Sequence, residues 1–363
     1  MVQRDHMPAF EVQTSQRVYS NVVERGIIGS IRDFLPATTG KLFLVTTEDV
    51  WQLHGSKVQA QFEEGELTVL FFPGGEPNKR LATLEWLAEG MSEGGADRKS
   101  LVIGFGGGIV TDVSGFLAAV FMRGVPVLQI PTTLLAQVDA ATGGKTGVNL
   151  RSGKNLLGSF HQPIAVLIDP DVLCTLPERE YRAGLFEVIK CGIIRDRALF
   201  DLFSQRADEI LSLQPELVEQ LISGAVRIKA EVVSADETEG DLRRILNFGH
   251  TIGHALEAET AYARFLHGEA VAWGMAVATE LAAILGMLPR GEAKRIQEVI
   301  FRFGPLPSAG GLDADRLLMR LGKDKKTLGG RVHFVLPTAI GEVKIVSDVE
   351  TSAVRKAVGE TLR

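Results

Sequence analysis

The rhythm of apolar residues changes near residue 178, and that change constrains the fold more than anything else in this 363-residue chain. Before it, short apolar runs alternate with amphipathic stretches: "KLFLVTT" (41–47), "LTVLFFP" (67–73), "NKRLATLEWLAEGMSEGG" (78–95), "SLVIGFGGG" (100–108), "IVTDVSGFLAAVFM" (109–122) and "PVLQIPTT" (126–133). Such alternation predicts a parallel α/β sheet, because each helix carries the chain back to the end of the sheet from which the next strand starts. "PIAVLIDPDVL" (163–173) reads as one more strand, and "PERE" after it opens a helix. Beyond that point "EREYRAGLFEVIKCGIIRD", "PELVEQLISGAVRIKAEVVSAD" and "GEAVAWGMAVATELAAILGM" run at helical period, with scarcely a strand-like segment before residue 300. "VHFVLPTAIGEVKIV" near the end fits a small hairpin. The expectation is an α/β domain followed by a helical one.

Composition narrows the function classes. Hydrophobic residues make up 45% of the chain, ample for buried cores. A net charge of −6 without long like-charge runs offers no nucleic-acid or membrane surface, so any anionic ligand must be held locally. The opening "MVQRDHMPAFEVQTSQRVYS" lacks the apolar core of a signal peptide, and no later stretch reaches the roughly 18 apolar residues of a membrane span. A cytoplasmic location is expected. Cys174 and Cys191 are too few for a disulfide framework, and both read as reduced core cysteines.

Two glycine-rich segments point to phosphates. "VIGFGGGIVTD" is an apolar run, then glycines, then a helix, a context in which main-chain N–H groups can approach a pyrophosphate. The dinucleotide fingerprint is incomplete, since counting from Gly104 its last position is Ile109. "ATGGKTG" resembles the tail of a P-loop, but Asp139 stands where the first glycine belongs, which disfavours an NTPase. Lys145, with Lys154 and Asn155 in "SGKNLLGSF", leaves basic and amide groups on what read as flexible loops, suited to a phosphate or hydroxyls.

"NFGHTIGHALEAETAYARFLHGE" (247–269) carries three of the seven histidines. His250 and His254 share a helix face by spacing, and extending it backward adds Asn247 and Arg243 to the same stripe. An open catalytic metal site takes three protein ligands, so the candidates are His250, His254 and His267 with Glu187, Glu257 or Glu269. Spacing leaves the choice open. Glu187 and Lys190 lie among Leu185, Phe186, Val188 and Ile189, apolar company more typical of a site than of a surface ion pair.

Taken in order, "GGEPNK", "GGGIVTD", "FMRGV", "QIPTTLLAQVDAATGGKTGVN", "GKNLLGSFHQP", "GLFEVIKCGIIRD", "IKAEVVSADE", "EGDLRRILNFGHTIGHALEAE", "LHGEAVAWGM" and "DKKTLGG" resemble the 3-dehydroquinate synthases of the sugar phosphate cyclase superfamily, from about residue 70 to 345. The resemblance implies a Rossmann-like NAD-binding α/β domain over 1–177, an all-helical metal- and substrate-binding domain over 178–363, and an active site in the cleft between them. It implies NAD and one divalent metal, Zn²⁺ or another such as Co²⁺, with Glu187, His250 and His267 as ligands and His254 kept for substrate. NAD is expected against Gly74, Gly75, Glu76, Asn78, Lys79, Gly106, Gly107, Gly108, Asp112, Thr132, Thr133 and Thr175, with Lys145 and Lys154 close by. The resemblance implies a catalytic set of Lys190, Lys229, Glu239, Arg243, Asn247 and His254. Asp139, Lys145, Lys154, Asn155 and the Lys325/Lys326 pair complete the substrate pocket, and Arg123 is expected to reach a neighbour's phosphate pocket in a homodimer.

The implied reaction converts 3-deoxy-D-arabino-heptulosonate 7-phosphate to 3-dehydroquinate by transient oxidation, phosphate elimination, reduction and aldol closure. Thr47 stands where the family commonly has Asp or Asn against the adenosine ribose, and Phe186 and Cys191 are atypical neighbours of the named positions. The nearest rival is a cyclase acting on sedoheptulose 7-phosphate. An iron-type alcohol dehydrogenase shares the glycine loop and metal helix but would not need lysines at 145, 154, 190 and 229.

Overall fold

The strand-like runs of the first half pair into one sheet in a computed structural model that describes residues 8–323 and 332–362. Its strands are β1 (Ala9–Gln13), β2 (Val18–Val23), β3 (Leu42–Thr46), β4 (Leu67–Phe71), β5 (Leu101–Gly106), β6 (Val127–Pro131) and β9 (Ala165–Ile168), in the order β1-β2-β9-β6-β5-β3-β4. Only the β1–β2 pair of this sheet is antiparallel. Because helices cover both faces, the central strands are apolar throughout rather than alternating. Leu42, Leu44, Leu101, Ile103 and Phe105 face one core with Ile27, Ile28 and Val58 of α1 (Glu48–Gln59) and the turn before β3. Phe43, Val45 and Val102 face the other, with Leu84 and Leu87 of α2 (Leu81–Glu93) and Val113 and Leu117 of α3 (Gly108–Val120).

The strand order reverses between β3 and β5, since β4 lies outside β3 while β6 lies outside β5. In such sheets ligands lie outside the carboxyl ends of the strands at the reversal. Here those ends carry Thr46 and the Gly106–Gly108 turn into α3.

Two sheet elements were not expected. The β1–β2 hairpin mixes polar residues into short runs, and β7 (Lys145–Leu150) pairs with β8 (Gly153–Phe160) in a glycine-rich hairpin. Lys145, Lys154 and Asn155 therefore stand on paired strands rather than on flexible loops.

The second half supplies α4 (Glu178–Arg195), α5 (Arg197–Gln205), α6 (Ala207–Leu211), α7 (Pro215–Ala235), α8 (His250–Glu259), α9 (His267–Ile284), α10 (Arg290–Arg302), α11 (Ala314–Lys323) and α12 (Thr351–Thr361). It also carries the anticipated hairpin, β10 (His333–Ala339) with β11 (Glu342–Ser347). The chain divides into two units: Met1–Pro177 with Val218–Thr238, and Glu178–Leu217 with Glu239–Arg363. Most of α7 thus belongs with the sheet, an exchange absent from an expectation of two contiguous domains. Its helical period shows an apolar face but not which unit that face packs on.

Candidate active site

In the second unit three helices are drawn together by glycines. A Cβ on Gly274 of α9 would lie 1.9 Å from the Gly249 carbonyl oxygen, and one on Gly253 of α8 would lie 3.0 Å from the Ala270 oxygen. A Cβ on Gly268 would lie 1.9 Å from the Ala183 oxygen of α4. Backbone therefore packs directly on backbone, which no larger residue permits. This close approach brings Glu187 of α4, His250 of α8 and His267 of α9 to one point.

The α8 helix begins at His250, after Gly249 with φ 80°. Leu242–Asn247 is a separate short 3₁₀ turn, so Arg243 and Asn247 do not continue the helix face of His250 and His254. Left-handed Gly249 breaks a spacing that reads as continuous in the sequence. Asn247 instead donates to Glu239 Oε1 at 2.5 Å, and Arg243 is buried.

His250 Nε2 and His267 Nε2 each lie 3.8 Å from Glu187 Oε1. The Nδ1 atoms face away, His250 toward the Phe248 carbonyl at 3.2 Å and His267 toward Glu257 Oε2 at 3.3 Å. Glu187 is 1% exposed, and neither carboxylate oxygen has a donor in hydrogen-bond geometry, although the equally buried Lys190 ammonium forms an ion pair with Oε2. A buried carboxylate facing two imidazole nitrogens is costly unless a cation joins them, so this donor set fits a divalent metal. Donor atoms of His254, Glu257 and His267 also lie within 4.8 Å of one another. Glu269 is otherwise engaged: Arg179 grips both its oxygens at 2.7 and 2.8 Å, and it accepts from Leu266 N at 2.7 Å, pinning the start of α9.

The first unit gathers the residues expected at the nucleotide. Gly74 and Gly75 follow β4 with φ 77° and 74°, and the Gly74 carbonyl accepts from Asn78 at 2.8 Å. Gly104 and Gly106 admit α3 against β5, because Cβ atoms there would strike Ser114 and Val110 at 2.1 and 2.7 Å. The first turn of α3 then presents N–H groups that helix geometry leaves without intrahelical acceptors, in a segment free of acidic side chains. This cradle fits a dinucleotide phosphate. Thr132 N donates to Gly106 O at 2.9 Å, and the Thr133 hydroxyl caps Ala136 N at 3.2 Å.

Lys79 is 3% exposed; its ammonium donates to Asp112 and, at 2.6 Å, to Asn155 Oδ1. Asn149 extends the chain, accepting from Asn155 N at 2.8 Å and donating to Glu76 Oε1 at 2.7 Å, with Lys154 4.0 Å from the same oxygen. Desolvation holds the Asp112 carboxyl above its ordinary range, against the pull of Lys79. Asp139, within a π-type turn, forms an ion pair with Lys229 of α7. Arg123 is exposed in the turn after α3, one helix length (about 20 Å) from the glycine loop. Lys325 and Lys326 lie outside the described residues.

Sequence reasoning overlooked Asn149 and His54. His54, buried in α1, places Nε2 2.9 Å from the Thr175 hydroxyl, and no motif marks it. Cys191 is buried, whereas Cys174 is exposed rather than in the core, because it stands in the turn after β9. Among the described residues no helix is long and apolar enough to cross a membrane.

Residues 69–183 match the family described as 3-dehydroquinate synthase N-terminal, and residues 184–327 the family described as 3-dehydroquinate synthase C-terminal. A 3-dehydroquinate synthase of Solibacter usitatus (strain Ellin6076) is 59% identical over 356 residues, covering 98% of this chain and 100% of the relative. One from Koribacter versatilis (strain Ellin345) is 49% identical over 357 residues, covering 96% of each. Among solved structures, a 2-epi-5-epi-valiolone synthase from Streptomyces hygroscopicus subsp. jinggangensis 5008, with NAD⁺ and Zn²⁺ bound, is 30% identical with TM-score 0.87, covering 96% of this chain and 98% of that one. A 2-deoxy-scyllo-inosose synthase complexed with carbaglucose-6-phosphate, NAD⁺ and Co²⁺ is 25% identical with TM-score 0.85, covering 98% of this chain and 100% of that one. With both family matches in register along the chain and relatives of this identity over nearly its full length, the chain belongs to the 3-dehydroquinate synthase family.

Proposed function

We propose that this protein is a lyase that converts 3-deoxy-D-arabino-heptulosonate 7-phosphate to 3-dehydroquinate and inorganic phosphate, using NAD and one divalent metal, Zn²⁺ or Co²⁺. The observation that carries the reading is the meeting of Glu187 with His250 and His267 Nε2, each 3.8 Å from one buried carboxylate oxygen, beside buried Lys190. Solved relatives bound to NAD⁺ with Zn²⁺ or Co²⁺ support the cofactors. When bound, NAD accepts and returns a hydride, and the metal supplies Lewis acidity toward the substrate's oxygens.

The protein's own residues bind and orient. Glu187, His250 and His267 hold the metal and leave His254 for the substrate. The Gly106–Gly108 turn and the Gly74–Lys79 segment receive the nucleotide, with Asp112, Thr132, Thr133 and Thr175. Lys190, Lys229 and Arg243 hold hydroxyls and the carboxylate, since cationic side chains form the stronger, charge-assisted hydrogen bonds. Lys145, Asn155, Asn247 and His254, with a lysine of the Lys325/Lys326 pair outside the described residues, grip the phosphate, fixing the substrate for elimination. Glu239, whose Oε1 accepts from Asn247, serves proton transfer. The protein works as a cytoplasmic homodimer in which Arg123 serves the neighbouring subunit's phosphate pocket.

The assay is phosphate release. Protein supplied with NAD⁺ and Zn²⁺ releases phosphate from the heptulosonate phosphate without net absorbance of reduced nicotinamide. Turnover of sedoheptulose 7-phosphate alone would move the reading to the valiolone-type chemistry named for the solved relative. Steady reduced nicotinamide from a simple alcohol would move it to a dehydrogenase.

A further inference from the structure

Glu257 is unused by the reading above, yet it is a buried carboxylate, 3% exposed, in the last turns of α8. Its Oε2 lies 3.3 Å from His267 Nδ1. We infer that Glu257 is a positioning residue for the metal centre: it accepts the Nδ1–H of His267 and so turns Nε2 of that ring toward Glu187. The inference rests on the ligand set Glu187, His250 and His267.

An imidazole offers a lone pair at only one nitrogen while neutral, and the partner of the other nitrogen decides which one. With Nδ1–H given to Glu257, the lone pair of His267 sits on Nε2, the atom 3.8 Å from Glu187 Oε1. His250 is arranged likewise, but its Nδ1 meets a main-chain carbonyl, that of Phe248, at 3.2 Å. The two ligands are therefore backed unequally, one by a neutral dipole and one by a carboxylate that draws more strongly on the ring proton and raises the basicity of Nε2. His267 needs this support more than His250. It is the first residue of α9 and partly exposed, whereas His250 is buried behind the glycine contact of α8 with α9. The Arg179–Glu269 grip fixes the main chain at the helix start and does not act on the ring itself. Glu257 adds a constraint on the ring, at Nδ1.

The rival role is direct ligation, in a set formed by His254, Glu257 and His267. That set would require the carboxylate facing His267 Nδ1 to turn to the ion, and would leave both Glu187 oxygens buried without hydrogen-bond donors.

The test uses full-length protein freed of metal by chelation. Zn²⁺ is titrated against a chromophoric chelator, and Co²⁺ is followed by its visible absorption, which reports ligand geometry. Glu257→Ala is expected to weaken Zn²⁺ binding by roughly 10–100-fold and to alter the Co²⁺ spectrum, with the metal-free protein still showing a cooperative urea transition. Glu257→Gln still accepts the Nδ1–H and is expected to fall between Ala and the parent. Zn²⁺ affinity of the Ala variant within about threefold of the parent, well short of the effect expected of a group that orients a metal ligand, overturns the role, as does a Gln variant no better than Ala. If Glu187→Gln keeps stoichiometric metal while His254→Ala loses it, Glu257 is a ligand, and the ligand set fails together with this role.

Discussion

His54 Nε2 lies 2.9 Å from the Thr175 hydroxyl, which itself donates to the Val172 carbonyl at 2.9 Å. A hydroxyl has one proton to give, so Thr175 spends it on Val172 and receives the one on Nε2. Burial and nearby Lys57 depress the pKa of this histidine below its ordinary 6.5, with Asp169 pulling the other way. Burial also depresses His161, whose Nε2 is 2.9 Å from the Val125 carbonyl. Both are groups that the unfolded chain protonates first. Their contribution to stability is complete above the unfolded pKa near 6.5 and is lost as pH falls through the lower folded values. Urea midpoints should therefore drop on acidification below that point, with a slope of at most about 1.4 kcal/mol per pH unit for each histidine. His54→Gln should flatten the limb, and an unchanged slope would show that His54 does not carry it.

Lys79 should be expensive to remove. Lys79→Met strips a donor from both Asp112 and Asn155, and an unsatisfied buried polar group costs about 1–3 kcal/mol. Adding Asp112→Asn should recover part of the loss, because the carboxylate charge that desolvation already disfavours is then gone. Chemical denaturation of the two variants measures both effects, and equal stabilities for single and double variants would contradict the pairing.

Metal stoichiometry separates the histidines. Purified His267→Ala and Glu187→Gln should lose stoichiometric zinc by elemental analysis, while His254→Ala should keep it and lose phosphate release. Zinc loss from the His254 variant would replace Glu187 in the ligand set.

Gly274→Ala tests the helix crossing that assembles the centre. Its new methyl would sit 1.9 Å from the Gly249 oxygen, backbone that cannot swing aside as a side chain can. Overpacking of this kind costs about 1–3 kcal/mol or more, and displacement of α9 should lower metal affinity along with stability. Gly359→Ala, at a glycine with open space around it, is the control.

What the sequence discloses about this molecule follows from what its patterns encode. The runs that became β3, β5, β6 and β9 are apolar without alternation because both sheet faces are covered, and that signal is unambiguous. The β1–β2 and β7–β8 hairpins are short, polar or glycine-rich, and pairing partners are not written in a local pattern. Spacing alone offers His250, His254 and His267 as equals, and it extends their stripe to Asn247 and Arg243 through a residue, Gly249, whose left-handed backbone ends the continuity. The convergence of Glu187 on the two Nε2 atoms depends on helix crossings set by Gly253, Gly268 and Gly274, which are contacts between distant segments. Burial of Lys190 is readable from its apolar neighbours, whereas the exposure of Cys174 is not.

The passage of Val218–Thr238 into the first unit means that each unit is built from two separate stretches of the polypeptide. A fragment ending at Pro177 would lack the helix that carries Lys229 and with it the ion pair to Asp139. During synthesis every strand of the sheet precedes Val218, but the first unit receives its last segment only once Thr238 has left the ribosome, by which time α4 to α6 of the other unit are already out. The first unit is thus finished only after part of its companion has been made, and no single cut in the gene separates the two.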